Sequence, residues 1–169
     1  MIASIIEVMR SQVLSGEPNG QSEALINNMP GKSSIETKCS KCENVFETEI
    51  IEHVDLSEDG ELAKSLKTGK VNRAICPRCK KVNYPERGIV INFEPESLIV
   101  VFDPSAKSSQ AKEQLKKDYD TVVNFNEILA EVGKETEFRV VCELDELKHL
   151  IDIYVKSHWL SESQPLLPE

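Results

Sequence analysis

Two cysteine pairs, Cys39-Ser-Lys-Cys42 and Cys76-Pro-Arg-Cys79, constrain this chain more than any other feature in it. Each Cys-x-x-Cys closes a tight turn that aims two sulfurs at one point, while backbone N–H groups stabilise the thiolates. Two such knuckles supply four sulfurs, the donor set of a closed tetrahedral zinc. Thiolates select zinc over magnesium or calcium, with iron as the chemical competitor. Cys39, Cys42, Cys76 and Cys79 are therefore read as the ligands of one structural zinc ion. A catalytic zinc keeps a position open for water, and four cysteines leave none, so no turnover is expected at this metal. The rival reading is thiol–disulfide exchange at Cys76-Pro-Arg-Cys79, which needs a helix N-terminus beside the first thiol. Lys80-Lys-Val-Asn-Tyr-Pro follows instead, an unpromising helix.

The chain has 169 residues, enough for one domain with a real core, so zinc need not be its only source of stability. Its formal net charge is −9, and a tetrathiolate zinc site would add two further negative charges. The larger acidic excess lies after residue 104, which disfavours nucleic acid and anionic membrane. Basic residues gather around the knuckles: Lys38, Lys41, Arg73, Arg78, Lys80 and Lys81. Compensation of the negative metal site is favoured over a phosphate-binding patch. Met1-Ile-Ala-Ser-Ile-Ile-Glu lacks the basic start of a signal peptide, and no apolar run approaches the ~20 residues of a membrane span. With five cysteines, two pairs of them at metal spacing, this points to a reducing, cytoplasmic setting.

Along the chain, Ile2, Ile5, Ile6, Met9 and Val13 recur at helical spacing. Residues 1–34 are read as this amphipathic helix and a linker, rich in turn formers, to the zinc-ribbon part at 35–104. Within the latter, residues 44–54 alternate as a strand leaving the first knuckle. Ser57 is placed to cap a short helix that Gly69 ends, and Lys70 to Cys76 returns as a strand. Gly88 to Phe93 and Leu98 to Phe102 form a hairpin with Pro95 in its turn. Residues 105–158 form a helical C-terminal part of the same domain. A polar helix from Ala106 to Tyr119 has too few apolar positions for deep burial. Asn124-Phe-Asn-Glu127 has capping-box spacing for a helix that Gly133 closes. Glu137 to Cys142 alternates as a strand, and Leu144, Leu147, Leu150, Ile151, Tyr154 and Val155 line a last helix. Residues 159–169 read as a flexible tail.

Other chemically capable residues have plainer roles. Cys142, the unpaired thiol, shares a strand face with Phe138 and Val140 and reads as buried filler. His53 is an ordinary edge histidine, with no His-x-x-His or His-Glu-x-x-His spacing around it. His149, between Asp145 and Asp152, fits a surface pair on the polar helix face. Trp159, the one tryptophan, is expected to pin the last helix to the body.

Cys39–Cys42, Phe46-Glu-Thr-Glu, Leu62-Ala-Lys-Ser-Leu-Lys-Thr-Gly-Lys-Val-Asn, Cys76-Pro-Arg-Cys79 and Phe138-Arg-Val-Val-Cys-Glu-Leu-Asp-Glu-Leu together resemble the CpXC domain of bacterial and archaeal proteins. The resemblance runs from about Glu36 to Val155. It implies a zinc-ribbon fold and four cysteine ligands, and no activity, because the family is one of unassigned function. The family's proline is present at Pro77, but Ser40 holds that place in the first knuckle. The glycine usual after a zinc knuckle is replaced by Glu43 and Lys80, so a different backbone is expected at those turns.

The expected fold is α+β: a zinc ribbon with β-hairpins, then a helix–strand–helix C-terminal part. The expected function is that of a non-enzymatic zinc module binding protein partners, through exposed strands or the N-terminal helix. One alternative is a nucleic-acid-binding ribbon, against which the acidic total and the 5% aromatic content argue. Another is an accessory subunit or thiol donor within an enzyme system, which requires a labile metal.

Overall fold

Two runs of apolar, largely β-branched residues, Ile-Val-Ile-Asn-Phe and Leu-Ile-Val-Val-Phe, set the centre of the molecule. An alternating pattern would bury one face only; these runs demand cover on both. In the computed structural model, which describes residues 31–57, 60–94 and 96–158, they are strands β5 (Ile89–Phe93) and β6 (Leu98–Phe102). They pair antiparallel, and every residue of β5 is buried. The expected hairpin is present; Pro95 lies outside the described residues.

Three further strands complete the sheet. β1 (Gly31–Lys38) and β2 (Val45–Asp55) form a long antiparallel hairpin, and β7 (Glu137–Val141) lies beyond β6. The order is β1-β2-β5-β6-β7, with β2/β5 and β6/β7 parallel. Parallel neighbours need crossover connections, and helices supply them here. α1 (Gly60–Thr68) lies between β2 and β5; α2 (Ser109–Val123) and α3 (Glu127–Glu135) lie between β6 and β7. α4 (Leu144–His158) follows β7.

The helices cover the two faces of the central strands. On one face, Ile91, Phe93 and Val100 pack with Leu66 of α1 and Leu147, Ile151 and Tyr154 of α4. The Tyr154 hydroxyl donates to the carbonyl of Glu94 at 2.5 Å. Lys67 of α1 and Asp152 of α4 form an ion pair that holds the Asp152 carboxyl below its ordinary range. On the other face, Val90, Ile99 and Val101 pack with Leu115, Tyr119 and Val122 of α2 and Leu129 of α3. The Tyr119 and Phe138 rings stack there at 4.3 Å between centroids.

Several expectations are corrected. The boundary at residue 34 falls inside β1, whose polar sequence is a strand because β2 pairs with it along its whole length. α2 buries three residues at spacings of four and three, enough for an apolar stripe despite its polar composition. Asn126, not Asn124, caps α3, its side chain accepting from the Leu129 N–H at 2.8 Å. Gly133 does not end that helix, which runs on to Glu135. A Cβ at Gly133 would stand 2.5 Å from a methyl of Val123, so glycine is required there for close packing on α2. Gly69 does end α1, at φ +69°, with its N–H bonded to the Leu66 carbonyl. The expected cap from Ser57 is not seen among the described residues: its hydroxyl donates to Asp55 instead. The strand expected from Lys70 shrinks to β3 (Ala74–Ile75), which pairs with β4 (Val82–Asn83) as a separate two-stranded ribbon. The N-terminal helix, most of the linker, Trp159 and the tail lie outside the described residues.

Candidate metal centre

Both knuckles are hairpin turns, one joining β1 to β2 and the other β3 to β4, and they share one backbone plan. The N–H of Cys39 donates to the Asn44 carbonyl at 2.9 Å, and the N–H of Glu43 to the Cys39 carbonyl at 3.0 Å. In the second knuckle Cys76 bonds Lys81 and Lys80 bonds Cys76, each at 3.0 Å. Closing these turns takes left-handed backbone at the residue after the second cysteine. Glu43 adopts φ 58° and Lys80 φ 62°. The expected departure in backbone is therefore corrected: both turns take the conformation that favours glycine, without a glycine.

The fold brings the four cysteines of the knuckles together and leaves Cys142 apart. Their sulfurs all lie within 4.8 Å of one another. The Cys39 and Cys79 sulfurs are 3.5 Å apart, and those of Cys42 and Cys76 are 3.6 Å apart. These short approaches run between knuckles rather than within one, and all four cysteines are free of disulfides. Zinc–sulfur bonds of about 2.3 Å imply tetrahedral edges of about 3.8 Å, so the cluster has the size and donor chemistry of a tetrathiolate metal site. Cys39 and Cys76 are buried, while Cys42 and Cys79 are partly exposed.

The charges on these sulfurs are shared unevenly. The Cys42 and Lys41 N–H groups, with help from Asn83 and the Cys79 thiol, overcome desolvation and bring the Cys39 thiol down to about 6. Burial opposes ionisation of Cys76, but the N–H groups of Cys79 and Arg78, together with the Cys42 and Cys79 thiols, lower that thiol too. Cys42 accepts from the Asn44 N–H, yet desolvation and the three neighbouring sulfurs push it up to about 11. Four thiolates this close repel one another, and a dication at their centre is what lets all four ionise together.

Asparagines complete the site, and the sequence reading missed them. Asn83, only 9% exposed, accepts from the Ser40 N–H at 3.0 Å and from the Ser40 hydroxyl at 3.1 Å. Its amide donates to the Lys81 carbonyl at 3.1 Å and towards the Cys39 sulfur at 3.7 Å. Asn44 reaches the opposite way, its amide 3.9 Å from the Cys76 sulfur. Each asparagine thus crosses to the first cysteine of the other knuckle. Asn72 ties the ribbon to the sheet, accepting from the Ile51 N–H at 2.8 Å and donating to its carbonyl at 3.3 Å. It fills an edge of β2 ahead of the parallel pairing with β5, which spans His53 to Asp55. Asn44 stands two positions past Cys42 and Asn83 four past Cys79, and no shared spacing marks these two or Asn72 in the sequence.

The remaining candidates stay away from the cluster. Cys142 follows β7 and is half-buried rather than fully buried. His53 stands opposite Gly31 in the β1–β2 register, its ring filling the space a Cβ there would occupy. His149 is exposed; Asp145 pairs with Lys148 and Asp152 with Lys67. Among the described residues no helix is long and apolar enough to cross a membrane.

A mixed sheet with two hairpin knuckles closing four sulfurs defines a zinc-ribbon-like, cysteine-cluster α+β protein. The sequence pattern of the family described as CpXC protein matches residues 37–157, from the first knuckle through α4. The chain belongs to the CpXC family. No curated protein and no solved structure matches it.

Proposed function

We propose that the chain is a non-enzymatic, cytoplasmic zinc protein. One structural zinc, held by Cys39, Cys42, Cys76 and Cys79, joins two hairpins into a platform for protein partners. The observation that carries this reading is the closure of four sulfurs within 4.8 Å, with asparagine amides from both knuckles turned towards them. Such a set fills zinc's four positions and leaves none for substrate or water. The role left to the metal is to fix the relative position of β1–β2 and β3–β4. β1–β2 is one edge of the five-stranded sheet, and β3–β4 joins it through the sulfurs, Asn83 and Asn72, with exposed residues on the ribbon open to another chain.

Native mass spectrometry on protein purified without added metal tests the metal. The expected result is one zinc per chain, four thiols protected from alkylation, and Cys142 as the remaining reactive thiol. A metal-free mass short by two or four protons would instead mean disulfides, and thiol–disulfide chemistry would replace this reading.

A further inference from the structure

We propose that the outer face of the β3–β4 ribbon docks an acidic polypeptide segment that also carries apolar side chains. This deepens, and rests on, the interaction-platform reading above. Between Gly69 and Pro85 the chain holds five cations, Lys70, Arg73, Arg78, Lys80 and Lys81, and no acid, within a molecule of formal charge −9. None of the five forms an ion pair among the described residues; cations elsewhere, such as Lys112 and Lys134, form none either, so what sets this stretch apart is that its cations have no acid among them in sequence. Nor do their side chains donate to the sulfurs, whose donors are backbone N–H groups, those of Lys41 and Arg78 among them, and the Asn44 and Asn83 side-chain amides. Any compensation of the metal site by this charge therefore acts through space, which leaves the cationic groups themselves open to a partner.

The ribbon has two faces. Ala74, Cys76 and Asn83 are buried towards the cluster, while Ile75 and its partner Val82 share the opposite face. Arg73 and Tyr84 extend that face by strand alternation, and Lys70 lies over the Tyr84 ring at 5.9 Å. Ile75 is 49% exposed and Tyr84 44%.

The residues on this face choose the occupant. Arg73, with Lys70 over the Tyr84 ring, calls for an anionic partner, and aliphatic Ile75 and Val82 beside them call for apolar side chains alternating with acids. A nucleic acid would want a row of stacking rings, but this face offers one ring, already capped by Lys70. A long polyanion would also meet the acidic remainder of the chain, which a short acidic segment avoids.

The test uses the full zinc-loaded chain and fluorescence anisotropy at ~0.15 M salt. The probe is a labelled peptide of alternating Glu and Leu, compared with oligoglutamate and oligothymidylate of similar charge. The expected result is saturable binding of the Glu–Leu peptide, weaker binding of oligoglutamate, and little of oligothymidylate. Arg73→Glu and Ile75→Asp should each weaken peptide binding about tenfold, while Lys112→Glu on α2 leaves it unchanged. Tighter binding of oligothymidylate, indifference to both ribbon variants, or a self-associated chain with this face covered would overturn the proposal. Zinc content is measured on the same sample. A zinc-loaded protein that ignores the peptide defeats the docking face alone, whereas a protein without zinc defeats the platform reading and this one together.

Discussion

The central strands and the β3–β4 ribbon hold together by opposite means. β5 and β6 are buried along nearly their whole length and covered by two helices on each face. At roughly 25 cal/mol per Å² of apolar surface, that burial stabilises the sheet without other help. β3 and β4 contribute two residues each, leave Ile75 and the adjoining Tyr84 exposed, and meet the rest of the molecule through sulfurs and asparagine amides. A two-stranded hairpin of that length does not persist alone in water. One chain therefore carries a region folded by burial and a region that needs its cross-link, and the two should fail separately.

The largest effect should come from removing a sulfur. Structural zinc contributes roughly 10 kcal/mol or more to small zinc domains, so Cys76→Ala should release the metal and open the ribbon. Hydrogen exchange should then show β3, β4 and both knuckles unprotected while the amides of β5 and β6 keep native protection. Native protection throughout the ribbon in Cys76→Ala would refute a structural metal, and collapse of β5 and β6 would erase the distinction between the regions. The reciprocal change is Ile151→Ala, which opens a cavity against the fully buried sheet face. It should cost about 2–5 kcal/mol of global stability in denaturant melts. Zinc stoichiometry and thiol protection should stay at the wild-type value in native buffer.

Asn83 probes the seam between the regions at smaller scale. Its amide orients Ser40 and faces the Cys39 sulfur, so Asn83→Ala leaves all four sulfurs in place but loosens the first knuckle. Groups that orient metal ligands typically influence affinity by about 10–100-fold. Competition with a chromophoric chelator should show a loss in that range with unchanged stoichiometry. An unchanged affinity would mean that the sulfurs position themselves.

How far each region was legible in the sequence follows from the same contrast. Burial leaves a periodic trace, so the β5–β6 hairpin, β7 and α4 could be read from apolar spacing, and the four cysteines declared themselves by spacing. β1 left no such trace: Gly-Lys-Ser-Ser-Ile-Glu-Thr-Lys becomes a strand only because β2 presents a partner. α2 was underestimated because three well-placed residues suffice when a finished sheet waits opposite. Gly133 misled because glycine serves close packing as readily as helix termination, and only the position of Val123 separates the two. Asn72 and Asn83 were silent because side-chain amides binding backbone across 21 or 43 residues have no local signature.

The smallest expected effect is a gain, and it falls on the ribbon side only. Glu43 and Lys80 hold left-handed backbone, which costs an L-residue about 1–2 kcal/mol relative to glycine, set against a glycine entropy cost of about 0.5–1 kcal/mol. Neither side chain offsets the difference. Glu43 makes an exposed pair with Lys38 at 3.2 Å, and Lys80 makes no ion pair among the described residues. Exposed pairs are worth little. Glu43→Gly and Lys80→Gly should therefore each stabilise the knuckle by about 0.5–1 kcal/mol, read as slower zinc transfer to a competing chelator and slower exchange in β3 and β4. Global melting of the sheet should not move, because the sheet does not depend on these turns. If glycine at either position weakens metal retention instead, the side chains there contribute something the backbone argument omits. Lys80, one of the five cations between Gly69 and Pro85, would then be the residue to pursue, because its charge would matter to the metal.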